Sequence, residues 1–400
     1  MAPKGFRCNG IRCGIKDAKS RKLDLGLIVS DVPAVAAATF TSNKFKAAPV
    51  RVSKVHLRSN GSIRAVIANS GNANACTGPR GIKDAKRMTE ATAHALGVKP
   101  TQVVVCSTGI IGMPLPMDRI EQRIPKVVMG LQSKRGLEFA KAIMTSDTFA
   151  KSFAVEFQLG TKKVRIGASA KGAGMIRPNM ATMLCFVTTD AAIGKAKLNK
   201  MTASAVEYSF NRISIDGDTS TNDTVLVMAN GEAGNRKIAA GTPSARKFRE
   251  ALEYVMLHLA KLLVRDGERV TKFVEIQVRG AATYSDAKKV AESVANSMLV
   301  KCSWNGSDPN WGRVMHAIGY SRARVREELI DIYFNGANAC KNGLATETPI
   351  ETLQKAVAGR EFSVTIDLHL GEAEHSVFTS DLSQEYVAYN RSEYAVRVTK

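Results

Sequence analysis

The sequence predicts a mixed α/β (α+β) protein, with layered sheets and flanking helices. Three observations predict it. Short continuous apolar runs, Val103-Val104-Val105-Cys106 and Val225-Leu226-Val227-Met228, have the length of buried strands. Residues 244–264 read as a long amphipathic helix with Phe248, Leu252, Val255, Met256, Leu259, Leu262 and Leu263 on one stripe. Phe362, Val364, Ile366, Leu368 and Leu370 alternate strictly, as in a strand with one buried face. At 400 residues, with 44% hydrophobic and 23% charged residues, the chain has globular composition and enough length for more than one core.

Taken in order, residues 27–29 and 35–40 are two strand candidates in Gly, Ser, Asp and Pro punctuation. Residues 63–68 form a third and run into 69–75, a loop of small and amide residues suited to capping neighbours or bonding a ligand. Residues 82–96 have helical spacing, with Gly97 as a stop. A helical pattern at 140–144 precedes a hairpin of 153–157 and 164–166 around Gly160. Residues 183–187 are a short buried strand, and 198–210 a helix. Ser244 caps the long helix and Asp266-Gly267 ends it. Residues 273–278 are a strand, 285–299 an amphipathic helix, and 304–313 a turn-rich loop holding both tryptophans.

Composition also narrows the function. The net charge is +21, but the basic residues are spread along the chain and aromatic content is only 6%. That favours a solvated basic surface that attracts anionic metabolites over a nucleic-acid interface. No run approaches the roughly 20 apolar residues of a membrane helix, and no apolar signal core follows the basic N-terminus. Seven scattered cysteines without Cys-x-x-Cys spacing, and six histidines without paired spacing, argue for reduced thiols, a cytoplasmic setting and no metal.

Chemistry concentrates in a few places. Thr182 sits where a glycine-punctuated segment, 171–178, meets the apolar run 183–187. A threonine there either opens a strand as a β-branched residue or is presented as a nucleophile. Ser107-Thr108-Gly109, at the end of a buried strand, is either turn chemistry or a hydroxyl and a backbone N–H aimed at one point, as in an oxyanion hole. Glu268, between a helix end and a strand, is either exposed or placed to hold an ammonium. Asp216, Asp218 and Ser220 open like a calcium loop. Thr221 stands where glycine is needed and Val227 where glutamate is needed, so Asx and Ser/Thr turns account for 214–224.

Several of these segments, in order, resemble the bifunctional ornithine acetyltransferase/N-acetylglutamate synthase family of arginine biosynthesis. They are Ser107-Thr-Gly-Ile-Ile-Gly, Ile143-Met-Thr-Ser-Asp-Thr, Lys171-Gly-Ala-Gly-Met-Ile with Pro178-Asn-Met-Ala-Thr-Met-Leu, Asp216-Gly-Asp-Thr-Ser-Thr-Asn-Asp-Thr, Asp266-Gly-Glu, and Asp308-Pro-Asn-Trp-Gly-Arg. The resemblance runs from Gly5 to about Tyr394, which argues against a transit peptide. It implies an N-terminal-nucleophile architecture and a precursor that cuts itself between Ala181 and Thr182. The products would be an α chain, 1–181, and a β chain, 182–400. It implies ping-pong acetyl transfer from N-acetylornithine to glutamate through Thr182, with Thr108 and the Gly109 N–H as oxyanion donors. Thr148, Lys171, Thr182, Glu268 and Asn390 would bind substrate. No cofactor is implied, acetyl-CoA is open as a co-substrate, and the partners are the two chains in an assembly of two α and two β. Arg177, Arg269-Val270 and the end after Asn390 depart from the family pattern. The alternatives are a self-cleaving amidohydrolase or aminopeptidase of the same fold, and a basic anion-binding protein on an inactive scaffold.

Overall fold

The computed structural model describes residues 2–59, 62–177 and 183–398, with side chains up to residue 391. Ala181 and Thr182 lie outside the described residues. Two compact units divide the chain. The first holds Met1–Gly172, Asn179–Asn211 and Asp218–Leu263; the second holds Ala173–Pro178, Arg212–Gly217 and Val264–Lys400. This division by packing is a separate matter from a cut after residue 181.

The first unit contains β1 (Phe6–Ile11), β2 (Leu25–Phe40), β3 (Ile63–Asn69), β4 (Val103–Ser107), β5 (Lys151–Leu159), β6 (Lys162–Lys171) and β7 (Leu184–Thr189). After β8 (Ile213–Ser214), a strand of the second unit, comes β9 (Thr224–Ala229). The first sheet runs β4-β3-β2-β9-β7-β6-β5, with β1 added to β2. Residues 27–29 and 35–40, expected as two strands, are parts of the one strand β2. Its first part pairs with β1 and β3 and its second with β9, and the register with β3 shifts between Val29 and Ala34. That irregularity takes in Pro33, which cannot donate to a ladder.

The strands at the centre of this sheet are continuous apolar runs because both faces are buried. Leu27, Val29, Ala65, Ile67, Val103 and Val105 face one way and pack with α1 (Ala48–Arg58), α2 (Gly78–Leu96) and α3 (Met117–Met129). Ile28, Val66, Ala68, Val104 and Cys106 face the other and pack with Phe186, Leu226 and Phe139 of α4 (Gly136–Ala142). Gly97 ends α2 in the left-handed region, φ 66°. α5 (Lys195–Glu207) starts and ends three residues before the expected 198–210, and the chain then tightens into a 3₁₀ turn at Phe210–Arg212. α6 (Pro243–Arg265) begins in the first unit, where Phe248 and His258 meet Phe157 and Phe153 of β5. Its start is capped by Thr242, whose Oγ1 accepts the Ala245 N–H at 3.2 Å, and not by Ser244.

The second sheet runs β13-β12-β11-β14-β10-β15-β8, adding β10 (Phe273–Ala281), β11 (Asp331–Phe334), β12 (Ala337–Lys341), β13 (Leu344–Ala345), β14 (Glu361–Asp367) and β15 (Ala373–Ser380). Val274, Ile276 and Val278 of β10 lie beside Phe362, Val364 and Ile366 of β14 in parallel register. Together they bury one face with α7 (Tyr284–Asn296), α8 (Met298–Asn305), α9 (Trp311–Gly319) and α10 (Ile350–Ala358). The expected helix 285–299 breaks at Ser297, which turns extended and caps α8 by accepting the Val300 N–H. Both tryptophans therefore sit on helices, Trp304 in α8 and Trp311 opening α9, instead of in a loop. The chain closes with α11 (Gln384–Val398), where Ser383 accepts the Tyr386 N–H.

Phe139 is buried and meets Phe186 edge-on at 5.3 Å between ring centroids. Phe139→Ala is expected to lower unfolding free energy by about 3–5 kcal/mol, read by denaturant titration.

Candidate active site

β4 delivers Thr108 one residue past its end, and an amide network fixes the turn. The Thr108 N–H donates to the Asn69 carbonyl at 2.9 Å. The Ser107 hydroxyl donates to Asn69 Oδ1, and Asn69 Nδ2 to the Asn72 carbonyl. From the loop before β9, Asn222 Nδ2 bridges the carbonyls of Ala73 at 2.7 Å and Ser107 at 2.8 Å. The amide loop is thus a brace. Gly109 has φ 132°, and a Cβ there would lie 2.5 Å from the Asn72 nitrogen and on the Gly71 backbone. Only glycine allows this approach of backbone to backbone.

Lys171, the last residue of β6, is 2% exposed. Its Nζ lies 3.4 Å from Thr108 Oγ1 and 4.0 Å from Asp147 Oδ2. Asp147 Oδ1 also takes the ammonium of buried Lys151 at 2.7 Å and the Gly172 N–H at 2.8 Å, while Oδ2 takes the Thr145 N–H. Burial alone would push the Asp147 carboxyl up. The Lys171 and Lys151 ammoniums and the Gly172 N–H outweigh it and bring it down to about 2. One carboxylate therefore serves two buried lysines, one of them beside the Thr108 hydroxyl. Thr148, the next residue, is exposed.

In the second unit, Asp216 accepts the N–H groups of Met175 at 2.6 Å and Ile176 at 2.9 Å, and so anchors the stretch that leads toward Pro178. The Glu268 N–H donates to the Ala173 carbonyl. A Cβ on Gly174 would meet the Glu268 carboxylate at 2.7 Å, so this glycine lets the chain pass against the acid. Asn390 of α11 donates to Glu268 Oε2 at 3.1 Å. The altered end of the chain thus still brings Asn390 to Glu268. Arg177 is exposed, and nothing in the structure explains it.

The chain matches the ArgJ family over residues 7–395. The chain belongs to the ArgJ family. It is 49% identical over 391 residues to the arginine biosynthesis bifunctional protein ArgJ of Geobacter sulfurreducens, covering 98% of this chain and 99% of that one. The protein of the same name from Symbiobacterium thermophilum is 46% identical over 391 residues, covering 98% and 97%. The crystal structure of the ArgJ protein of Bacillus halodurans is 38% identical with a TM-score of 0.51, covering 52% of this chain and 98% of that chain. This ArgJ chain is thus an enzyme, an acyltransferase of arginine biosynthesis and an ornithine acetyltransferase by family. Its two sheets with flanking helices are the mixed α/β layout the sequence predicts.

Within ArgJ, the sequence motifs fall into two groups. Thr108, Gly109 and Lys171 come together in the first unit, and Glu268 and Asn390 in the second. Asp147, Asn222 and Asp223 were not singled out by sequence reasoning. Asp147 hides in Thr145-Ser146-Asp147-Thr148, which reads as an ordinary turn. Asp223 stands directly before the wholly buried strand β9, and an acid flush with an apolar run was the available signal. Among the described residues no group of His, Cys, Asp and Glu forms a metal site.

Two outcomes follow from this geometry. The Asp147 carboxylate contributes fully above its ordinary value of 3.8, and that contribution is lost as pH falls toward about 2. Asp147→Asn leaves two buried ammoniums without their anion and is expected to cost about 3–5 kcal/mol at neutral pH; the penalty relative to wild type should shrink in acid-titrated unfolding curves. Gly109→Ala is expected to abolish soluble active enzyme. Gly97→Ala, where φ is 66° but no atom lies within 4 Å of the new methyl, should cost only about 1 kcal/mol of strain in a parallel thermal melt.

Proposed function

We propose that this ArgJ chain cuts itself between Ala181 and Thr182 and then moves an acetyl group from N-acetylornithine to glutamate through Thr182. The observation that carries the reading is the convergence at one end of the first sheet. There the Lys171 ammonium lies 3.4 Å from the Thr108 hydroxyl. β7 starts at Leu184 directly opposite Lys171. Thr182 is two residues before that start in the sequence.

In cleavage, the Thr182 hydroxyl oxygen bonds to the Ala181 carbonyl carbon, and the 181–182 C–N bond breaks. The resulting ester is hydrolysed, which frees the Thr182 α-amine. An α-amine ordinarily titrates near ~8, so this one is partly neutral at pH 7 and serves as base for its own hydroxyl. In turnover the hydroxyl attacks the acetyl carbonyl of N-acetylornithine. Thr108 and the Gly109 N–H hold the oxyanion, and a donor of this kind is worth on the order of 10²–10³ in rate. Ornithine leaves with the proton, an acetyl-threonine ester remains, and the glutamate amine takes the acetyl group. Lys171 suits a substrate carboxylate; Glu268 suits an ammonium, with Asn390 bonded to it; Thr148 completes the binding set. The cycle needs no metal or organic cofactor. We further propose that the chains 1–181 and 182–400 stay together as two α and two β in the cytoplasm. The half-length match to the Bacillus halodurans chain, 98% covered by 52% of this one, is what a precursor divided into two chains leads one to expect.

Intact mass is expected to give two fragments, the second beginning at Thr182. Thr182→Ala should stay one chain and lose transfer. Isotope-labelled acetyl on ornithine should appear on added glutamate; its release as acetate alone would make the enzyme a hydrolase and overturn the transferase reading.

A further inference from the structure

The loop between β1 and β2 and one face of α3 enclose a cavity of about 250 Å³, lined by Arg12, Cys13, Ala18, Arg119, Gln122 and Arg123. Its arginines meet no carboxylate in that lining. Two of the guanidiniums are fixed by the backbone of the loop. Arg12 donates to the Ala18 carbonyl at 2.7 Å, and Arg119 to the Gly14 carbonyl at 2.9 Å. Each such bond uses one of a guanidinium's several N–H donors and leaves the others for a ligand. Among the described residues, Arg123 makes no hydrogen bond or ion pair. Both helix arginines bear on the Cys13 thiol in the cavity wall. Burial and Asp24 push that thiol up to about 12, and Arg123 and Arg119 pull against them.

The acids nearest in sequence are engaged elsewhere. Asp24 accepts the N–H groups of Cys13 and Ile15, and Asp17 that of Lys19. Glu121 takes the Arg87 guanidinium on both oxygens, at 2.9 and 2.7 Å. Asp118 lines a neighbouring cavity with Arg80, Arg87 and Arg119. Arg119 and Arg123 stand four residues apart on α3, a spacing at which like charges repel. An anion between them and Arg12 replaces that repulsion by attraction. The cavity is separate from the Thr108–Gly109 turn, with Gly71 between them. A Cβ on Gly71 would lie 2.8 Å from the Lys16 Cβ of the same loop, and one on Gly109 would lie 2.4 Å from the Gly71 carbonyl carbon.

We propose that this cavity binds a phosphoryl group, either as free phosphate or at the end of a small metabolite. Size limits the occupant. Pockets for drug-sized ligands run to about 300–1,000 Å³, so a compact anion fits inside and any organic part lies outside. Charge and shape then choose among compact anions. A carboxylate carries one charge on two coplanar oxygens, which a single guanidinium fork saturates. A phosphoryl group carries about −1.5 to −2 charge at pH 7 on three acceptor oxygens. That is enough for forks from Arg12, Arg119 and Arg123 together, with the Gln122 amide as a further donor. The bound group ties the loop 12–18 to α3.

The test titrates the full-length protein, wild type and Arg123→Gln, with inorganic phosphate, glycerol phosphate and acetate at about 0.15 M chloride. Wild type is expected to bind phosphate one to one by calorimetry, and its melting temperature should rise with the logarithm of phosphate concentration. Acetate should bind about tenfold more weakly or worse. Arg123→Gln should melt at the wild-type temperature without phosphate, since Arg123 has no partner to lose, and should weaken phosphate binding about tenfold or more. Arg123→Lys keeps the charge without the fork and should fall between the two. Glycerol phosphate binding as well as phosphate supports the site as a reader of a terminal phosphoryl group; binding of phosphate alone supports it as a site for the free ion. Phosphate binding unchanged in Arg123→Gln overturns the proposal. So does phosphate binding no tighter than acetate in wild type, a comparison that needs no variant. A single-stranded oligonucleotide that binds with a steep salt dependence and far more tightly than phosphate would make the arginines part of a nucleic-acid surface, and overturns it too.

Discussion

The first unit depends on one buried anion. Asp147 holds the Lys151 ammonium and the Gly172 N–H on one oxygen, with the Lys171 ammonium 4.0 Å from the other. Desolvating three charges is expensive unless each is compensated, and here one carboxylate lies between two buried lysines. Lys171 also reaches the Thr108 hydroxyl, at 3.4 Å.

Rigidity at the opposite wall comes from hydrogen bonds and sterics in place of charge. Asn69, Asn72 and Asn222 spend their amides on backbone carbonyls around Ser107 and Thr108. Gly109 closes the turn by backbone contact. The Lys171 ammonium and the Thr108 turn thus have separate supports, Asp147 for the one and these amides for the other.

Much of this was legible in the sequence, and the misses have physical reasons. The buried strands 63–68, 103–106 and 183–187 were plain because both faces of the first sheet are covered and the runs are uninterrupted. β2 was split in two because Pro33 looks like a break, whereas tertiary pairing carries the strand past it. Ser297 was read as a helix interior because local spacing continues through it; its capping geometry is visible only in space. Motif order marked Thr108, Gly109 and Lys171, and the structure brings Thr108 and Lys171 within 3.4 Å. Asp147 and Asp223 were not marked, because a buried acid leaves no local pattern. Its meaning lies in partners 24 to 40 residues away, Lys171 for the one and Met183 for the other.

The sheet also explains how a chain could be cut beside its own reactive centre and stay together. The last strand before the cut, β6, and the first after it, β7, are antiparallel neighbours from Ile166↔Thr189 to Lys171↔Leu184. A second ladder joins β2 to β9 from Val35↔Ala229 to Phe40↔Thr224. Breaking the 181–182 bond would leave both ladders intact. It would remove only the constraint that residue 182 be joined to 181. The new terminus would be held from its other side, through Met183, whose N–H and carbonyl are bonded to Asp223 and Thr224. The proposed cleavage at this point would convert a peptide nitrogen, which has no basicity, into an amine whose following residue is already fixed. It would thus supply a base by releasing one bond.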